Sequence, residues 1–225
     1  MDNQKLATLF LFSLLIASLL PLPILAVIKV GVKEGDWIEY NVAYIGTPTE
    51  GHDVVWARME ILNVKETSVT VKITSKFSGG KQDTSTPVLN LETGHLGDAF
   101  IIPANLEAGD TFLDENRGNV TISGTKQKFV AGADRTLIYA VTAETTMYWD
   151  KATGIAVESH SAFVNFTMVT MTEKTNIWQP SLLGLEPTAF YALTATVLGA
   201  VLIIVALLVF PRRNGTPRHN QQPLK

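Results

Sequence analysis

The sequence predicts a mainly β protein: a curved antiparallel sheet, half-barrel or sandwich-like, set between an N-terminal hydrophobic signal helix and a C-terminal transmembrane helix. Three observations lead there. Apolar and polar residues alternate with period two through the middle of the chain, as in strands with one face buried. No middle segment holds a 3.6-residue apolar stripe over a dozen residues, which argues against long helices there. Residues 6–28 and 187–210 carry no charge at all.

The first charge-free run follows Lys5 and extends from Leu6 to Leu20; Pro21 and Pro23 then break it before Ala26. A basic start, an apolar stretch, a breaker and a small residue make a secretory signal. Asp2 offsets Lys5, and Ile24 stands where a second small residue is wanted. Cleavage near Ala26 and retention as a signal anchor both remain open.

Between the apolar runs the alternation places strands in order. Ile38, Tyr40, Val42 and Tyr44 share one face, and Val55, Ala57, Met59 and Ile61 repeat the pattern. Val69, Val71 and Ile73 follow after the short polar link Asn63-Val64-Lys65-Glu66, so these last two strands form a hairpin. Gly79 to Pro87 reads as a mobile loop, because its composition buries nothing. Further strands are expected at Thr111–Leu113, Val120–Ser123, Lys128–Val130, Arg135–Ala143 and Phe163–Thr172, and 103–109 holds a turn of helix at most. Tyr148 to Val157 reads as strand, turn, strand, with Asp150 opening the turn and Gly154 taking the left-handed position. That hairpin also accounts for the adjacent Trp149 and Asp150 better than a sugar-binding pair does. An apolar sheet face must be covered, so the strands should curl or stack.

The second charge-free run, Thr188 to Phe210, spans roughly 34 Å as a helix, enough for a hydrocarbon core of about 30 Å. Arg212, Arg213, Arg218 and Lys225 follow it with no acidic residue. This tail is therefore expected on the cytoplasmic side, with the middle of the chain outside the plasma membrane. The organisation expected is 1–28 signal or anchor, 29–177 extracytoplasmic β domain, 178–187 stalk, 188–210 transmembrane helix and 211–225 basic tail.

Charge and residue type then exclude classes of function. Setting aside Lys5, the four basic tail residues and Asp2, the totals of 18 basic and 21 acidic residues leave 13 against 20, a charge of about −7 on the middle. Such a surface repels nucleic acid. With no cysteine there is no disulfide framework and no thiolate ligand or nucleophile. His52, His95 and His160 are isolated and lack metal-ligand spacing, so neither a metal nor another cofactor is expected. Ser159 and His160 are neighbours on a strand and point to opposite faces, which prevents a nucleophile and base pair. Glu34 and Asp36 sit two apart, a spacing too common among acidic surfaces to imply acid–base work. Asp114 to Asn119 resembles the start of a calcium loop, but its glycine is one place early and Thr125 replaces the bidentate glutamate; a solvated turn is expected. Two sequons, at Asn119 and Asn165, are candidate glycosylation sites, with Asn165 placed opposite an apolar strand face of Ala162, Val164, Phe166 and Met168.

Taken together, Gly35-Asp36-Trp37-Ile38-Glu39-Tyr40, Ile102-Pro103-Ala104-Asn105-Leu106 with Gly109-Asp110-Thr111, and Tyr148-Trp149-Asp150-Lys151-Ala152-Thr153-Gly154 resemble segments of uncharacterised archaeal surface proteins. Those proteins carry an N-terminal signal and one C-terminal transmembrane helix. The resemblance covers roughly residues 30–175 and brings no catalytic residues with it. The strand, D-x-x-T-G, strand hairpin is also remotely similar to lipoprotein-carrier folds, in which a curved sheet holds an apolar ligand; that similarity is one of fold.

Three functions are expected, in this order. The first is a non-enzymatic, membrane-anchored module that binds an envelope protein or a glycan-coated neighbour. The second is a carrier or sensor of a lipid or another apolar ligand, with Tyr40, Trp56, Met59, Phe166 and Met168 lining the site. The third is a hydrolase using carboxylates such as Asp110 or Asp114.

Overall fold

Period-two patterning becomes sheet almost throughout the middle of the chain. The computed structural model describes residues 28–49, 52–183, 185 and 187–209. The expected signal helix and the basic tail lie outside the described residues, at 1–27 and 210–225. Strand makes up 52% of the structure. The strands are β1 (Trp37–Gly46), β2 (Val54–Lys65), β3 (Ser68–Phe77), β4 (Gln82–Ser85), β5 (Val88–Asn90), β6 (Thr111–Asp114), β7 (Gly118–Thr121), β8 (Gly124–Val130), β9 (Ala133–Val141), β10 (Thr145–Asp150), β11 (Ala156–Ala162) and β12 (Phe166–Thr175), followed by helix α1 (Pro187–Val209).

Ten strands form one antiparallel sheet in the order β4-β3-β2-β1-β12-β11-β10-β9-β8, with β5 also on β3. The sheet is not closed into a barrel. Two meanders, β1 to β3 and β8 to β12, are joined where β1 pairs with β12 along most of its length. Each strand therefore has a fixed sense: β12 runs toward the stalk, and the β11–β12 turn lies at the other end.

Register decides which side chains share a face, because directly paired residues in an antiparallel ladder point the same way. Ile38 pairs with Met59, Met59 with Ile73 and Ile61 with Val71. This inner face holds Ile38, Tyr40, Met59, Ile61, Val69 and Val71, all buried. The opposite face is polar. Arg58 bridges Glu39 at 2.8 Å and Glu60 at 3.1 Å, Lys72 joins Glu60 at 3.1 Å, and the Arg58 guanidinium lies 4.3 Å from the Trp37 ring centre. One packed and one solvated face is the usual economy of an antiparallel sheet.

The inner face is covered by the connection from β5 to β8. Leu91, Leu96, Ala99, Ile101, Ile102, Phe112, Val120 and Ile122 from this stretch are buried in the same core as the sheet residues. It is stitched to the β10–β11 hairpin: Ala156 N–H donates to the Phe100 carbonyl at 2.8 Å, and Ile102 N–H to the Gly154 carbonyl at 2.9 Å. The small β6–β7 hairpin is part of this cover, with Phe112 edge-on to Trp149 at 5.6 Å. Gly154 has φ of 72°, and a Cβ there would stand 2.0 Å from the Ile102 carbonyl oxygen. Only glycine lets the turn approach the cover so closely.

The structure departs from the sequence reading at four places. Gly79 to Pro87 is not a free loop throughout, since Gln82–Ser85 pairs with β3. The exposed edge of β3 offers hydrogen bonds that polar residues can take without burying anything, and Pro87 interrupts the edge before β5. The last strand begins at Phe166 rather than Phe163. Residues 163–165 turn between β11 and β12, so Ala162 and Val164 do not continue the face of Phe166 and Met168. The Asp114 turn is a β6–β7 hairpin whose first carboxylate is buried, 1% exposed, rather than solvated. Trp178, where the stalk was expected to begin, is buried in the domain and donates from Nε1 to the Val130 carbonyl at 3.1 Å.

Helix α1 opens with Pro187 at its first position, where a missing N–H costs nothing. Its stretch Pro187–Ala206 has mean hydropathy 2.3 and is not buried against the domain. Thr194 and Thr196 return their hydroxyls to the Phe190 and Ala192 carbonyls at 2.8 Å, which satisfies these two groups in an apolar surrounding. The helix is compatible with a single membrane crossing.

Candidate functional site

The five residues expected to line an apolar site do not share one face. Tyr40 and Met59 are in the packed inner core. The Tyr40 hydroxyl donates to the Ala156 carbonyl at 2.8 Å, and burial pushes its ionisation far above that of an ordinary phenol. Trp56 pairs with Asn41 and Lys76 and so lies on the polar face, with the Lys76 ammonium 5.9 Å from its ring centre. Met168 pairs with Tyr44 and Phe166 with Gly46, toward the end of the sheet away from the stalk. The inner face that the first two residues belong to is occupied by the β5–β8 connection.

Carboxylates singled out in the sequence are spent on turns. Asp110 accepts from the Glu107 N–H at 2.7 Å. Asp114 accepts from the N–H groups of Asn116 and Arg117 and pairs with the Arg117 guanidinium at 2.7 Å. Asp36 is buried and accepts from the Lys33 N–H at 2.9 Å, whereas Glu34 is exposed. Of the histidines, His95 Nδ1 lies 2.6 Å from Glu115 and His160 Nε2 lies 2.7 Å from Glu158. Burial raises the Glu158 carboxyl, but hydrogen bonds and charge from His160 and Lys128 outweigh it and hold the group below the usual carboxylate range. Among the described residues, no group of three His, Cys, Asp or Glu side chains could hold a metal ion. No buried side-chain nitrogen or oxygen there lacks a hydrogen-bond partner.

A cluster the sequence did not reveal forms at the turn end of the sheet. Phe163 stacks on the buried Phe166 at 4.5 Å with 19° between the rings. Tyr44 meets Phe166 edge-on at 5.9 Å, and His52 approaches Phe163 at 5.9 Å. The Tyr44 hydroxyl is held by the Val54 carbonyl at 2.7 Å; burial, and then the charge of Asp53, raise its ionisation above the usual range. The Phe163 N–H closes the turn on the Phe166 carbonyl at 2.8 Å. Beyond this base the turn side chains face water, with Val164 100% and Phe163 43% exposed, and Ile45, on the other face of β1, is 72% exposed. Only Asn165 in the turn is a customary turn residue, so β-prone Phe163 and Val164 disguised it as strand. Asn165, in the turn, and Asn119, on β7, are both exposed. No protein-family model and no curated protein matches this chain.

Proposed function

We propose that the chain is a single-pass protein of the plasma membrane, with its β domain outside, its basic tail cytoplasmic, and a non-enzymatic role as an interaction module. Its curled sheet is the scaffold, and the turn end bearing Ile45, Phe163 and Val164 docks an envelope protein. The supporting observation is Val164, wholly exposed beside the exposed Phe163 in the same turn, at the end of the sheet opposite the stalk. Adjacent apolar side chains held in water mark surfaces that another molecule covers. The stacking of Phe163 on buried Phe166 holds the tip in place, so docking costs less conformational entropy. Exposed Asn119 and Asn165 would accept glycans on an exported chain, and one at Asn165 would flank the tip. A carrier of lipid or another apolar ligand draws less support, because Trp56 lies on the other face from Met59 and the chain's own connection fills the inner face.

The test is a photo-crosslinking residue at position 164 in intact cells. A discrete adduct that is lost in Phe163→Ala, with thermal stability nearly unchanged, is the expected result. An absence of adducts, or adducts indifferent to Phe163→Ala, would contradict docking through the tip.

A further inference from the structure

The opposite end of the domain carries its own exposed apolar residues, and the stalk fixes where they lie. The Trp178 indole is clamped from two sides. Its Nε1 donates to Val130, and the Arg135 guanidinium lies 4.8 Å from its ring centre. Arg135 is itself held by the fully buried Asp150, at 2.8 and 3.1 Å. Two residues on, Pro180 packs against Gly132, where a Cβ would come within 2.9 Å of the proline ring. The Ser181 N–H donates to the Gly132 carbonyl at 2.8 Å. Leu182 and Leu185 then bond to each other in both directions, at 2.8 and 3.0 Å. That closed turn shortens the path from Ser181 to the start of α1 at Pro187 to roughly 17 Å, from ordinary Cα spacings.

The β8–β9 turn is therefore tied close to the point where α1 begins. Beside it, Phe129 is 64% exposed, and Leu183 and Leu185 in the tether are 90% and 38% exposed. Three apolar side chains next to a helix of membrane-spanning length are placed for the headgroup layer, where aromatic and aliphatic groups settle.

We propose that the β8–β9 edge of the domain is seated on the bilayer surface, with Phe129, Leu183 and Leu185 inserted at headgroup level. This rests on α1 crossing that bilayer. The domain then stands in a fixed pose, stalk end on the lipid and turn end outward, rather than swinging on a free linker.

The chain has no cysteine, so single nitroxide labels report one place each. Phe129→Cys, Leu183→Cys, Val164→Cys and Leu198→Cys would be labelled in the full chain, reconstituted in phosphatidylcholine vesicles, and their collision rates with oxygen and with a water-soluble nickel chelate compared. Labels at 129 and 183 are expected to favour oxygen several-fold more than the label at 164, approaching that at 198. If 198 reports lipid while 129 and 183 behave like 164, the seating is wrong and the crossing stands. If 198 also behaves like 164, the crossing fails and the seating with it.

Discussion

Trp149→Ala is expected to cost the domain about 3–5 kcal/mol of unfolding free energy, the range for deleting a large buried aromatic. Trp149 is 1% exposed and pairs with Ile138 on β9. Its Nε1 donates to the Ala99 carbonyl at 2.7 Å, and Phe112 meets the ring edge-on. It is thus the point where sheet, connection and β6–β7 hairpin meet. Truncation leaves a cavity and strands a buried carbonyl, at a residue whose φ of 55° is unfavourable for alanine. Trp149→Phe keeps most of the volume and loses chiefly the hydrogen bond, so about 1 kcal/mol is expected there. Urea unfolding of both variants measures the difference. Near-equal stability of Trp149→Ala and the parent would mean that the connection is not part of the cooperative core.

Asp150→Ala is expected to cost a further class of energy, about 3–5 kcal/mol, as breaking one side of a buried ion pair does. Asp150 is 0% exposed and accepts four hydrogen bonds: two from Arg135, one from the Thr153 N–H and one from the Thr153 hydroxyl. Removing it leaves the Arg135 guanidinium, with its side chain 17% exposed, largely buried without its partner, and opens the turn that presents Gly154 to Ile102. Asp150→Asn keeps an acceptor for the turn but not the charge, and should fall between. In thermal unfolding, Arg135→Met with Asp150→Ala should be less destabilised than the sum of the single changes. Additive losses would mean that the two groups do not act as a pair. Because Arg135 also stacks on Trp178, Asp150→Ala should loosen the stalk as well.

The sheet was legible where each residue's face follows from its own sequence neighbours. Ile38, Tyr40 and Val42 alternate with polar residues, and the β10–β11 turn announces itself through Asp150 and Gly154, whose side-chain and backbone chemistry is local. What the residues hide is whatever a distant part of the chain decides. Gln82 to Ser85 becomes strand because β3 has an open edge, not because of its composition. Leu91, Leu96, Ile101 and Ile102 follow no period, since an irregular cover packs by position rather than repeat. Phe163 and Val164 have strand preferences but occupy a turn set by the β11–β12 register. Trp178 looks like a linker residue until Val130 and Arg135, more than 40 positions earlier, are seen to hold it. Phe166, expected to line an apolar ligand, is instead the buried base on which Phe163 stacks, a placement set by the β11–β12 turn.

Orientation in the membrane is the most direct test of the whole account. Val164→Cys and Asn214→Cys would each be exposed in intact cells to a membrane-impermeant maleimide. The account predicts labelling at 164 in intact cells, and at 214 only after the membrane is opened. Labelling at 214 with protection at 164 would put the domain on the cytoplasmic side and contradict it.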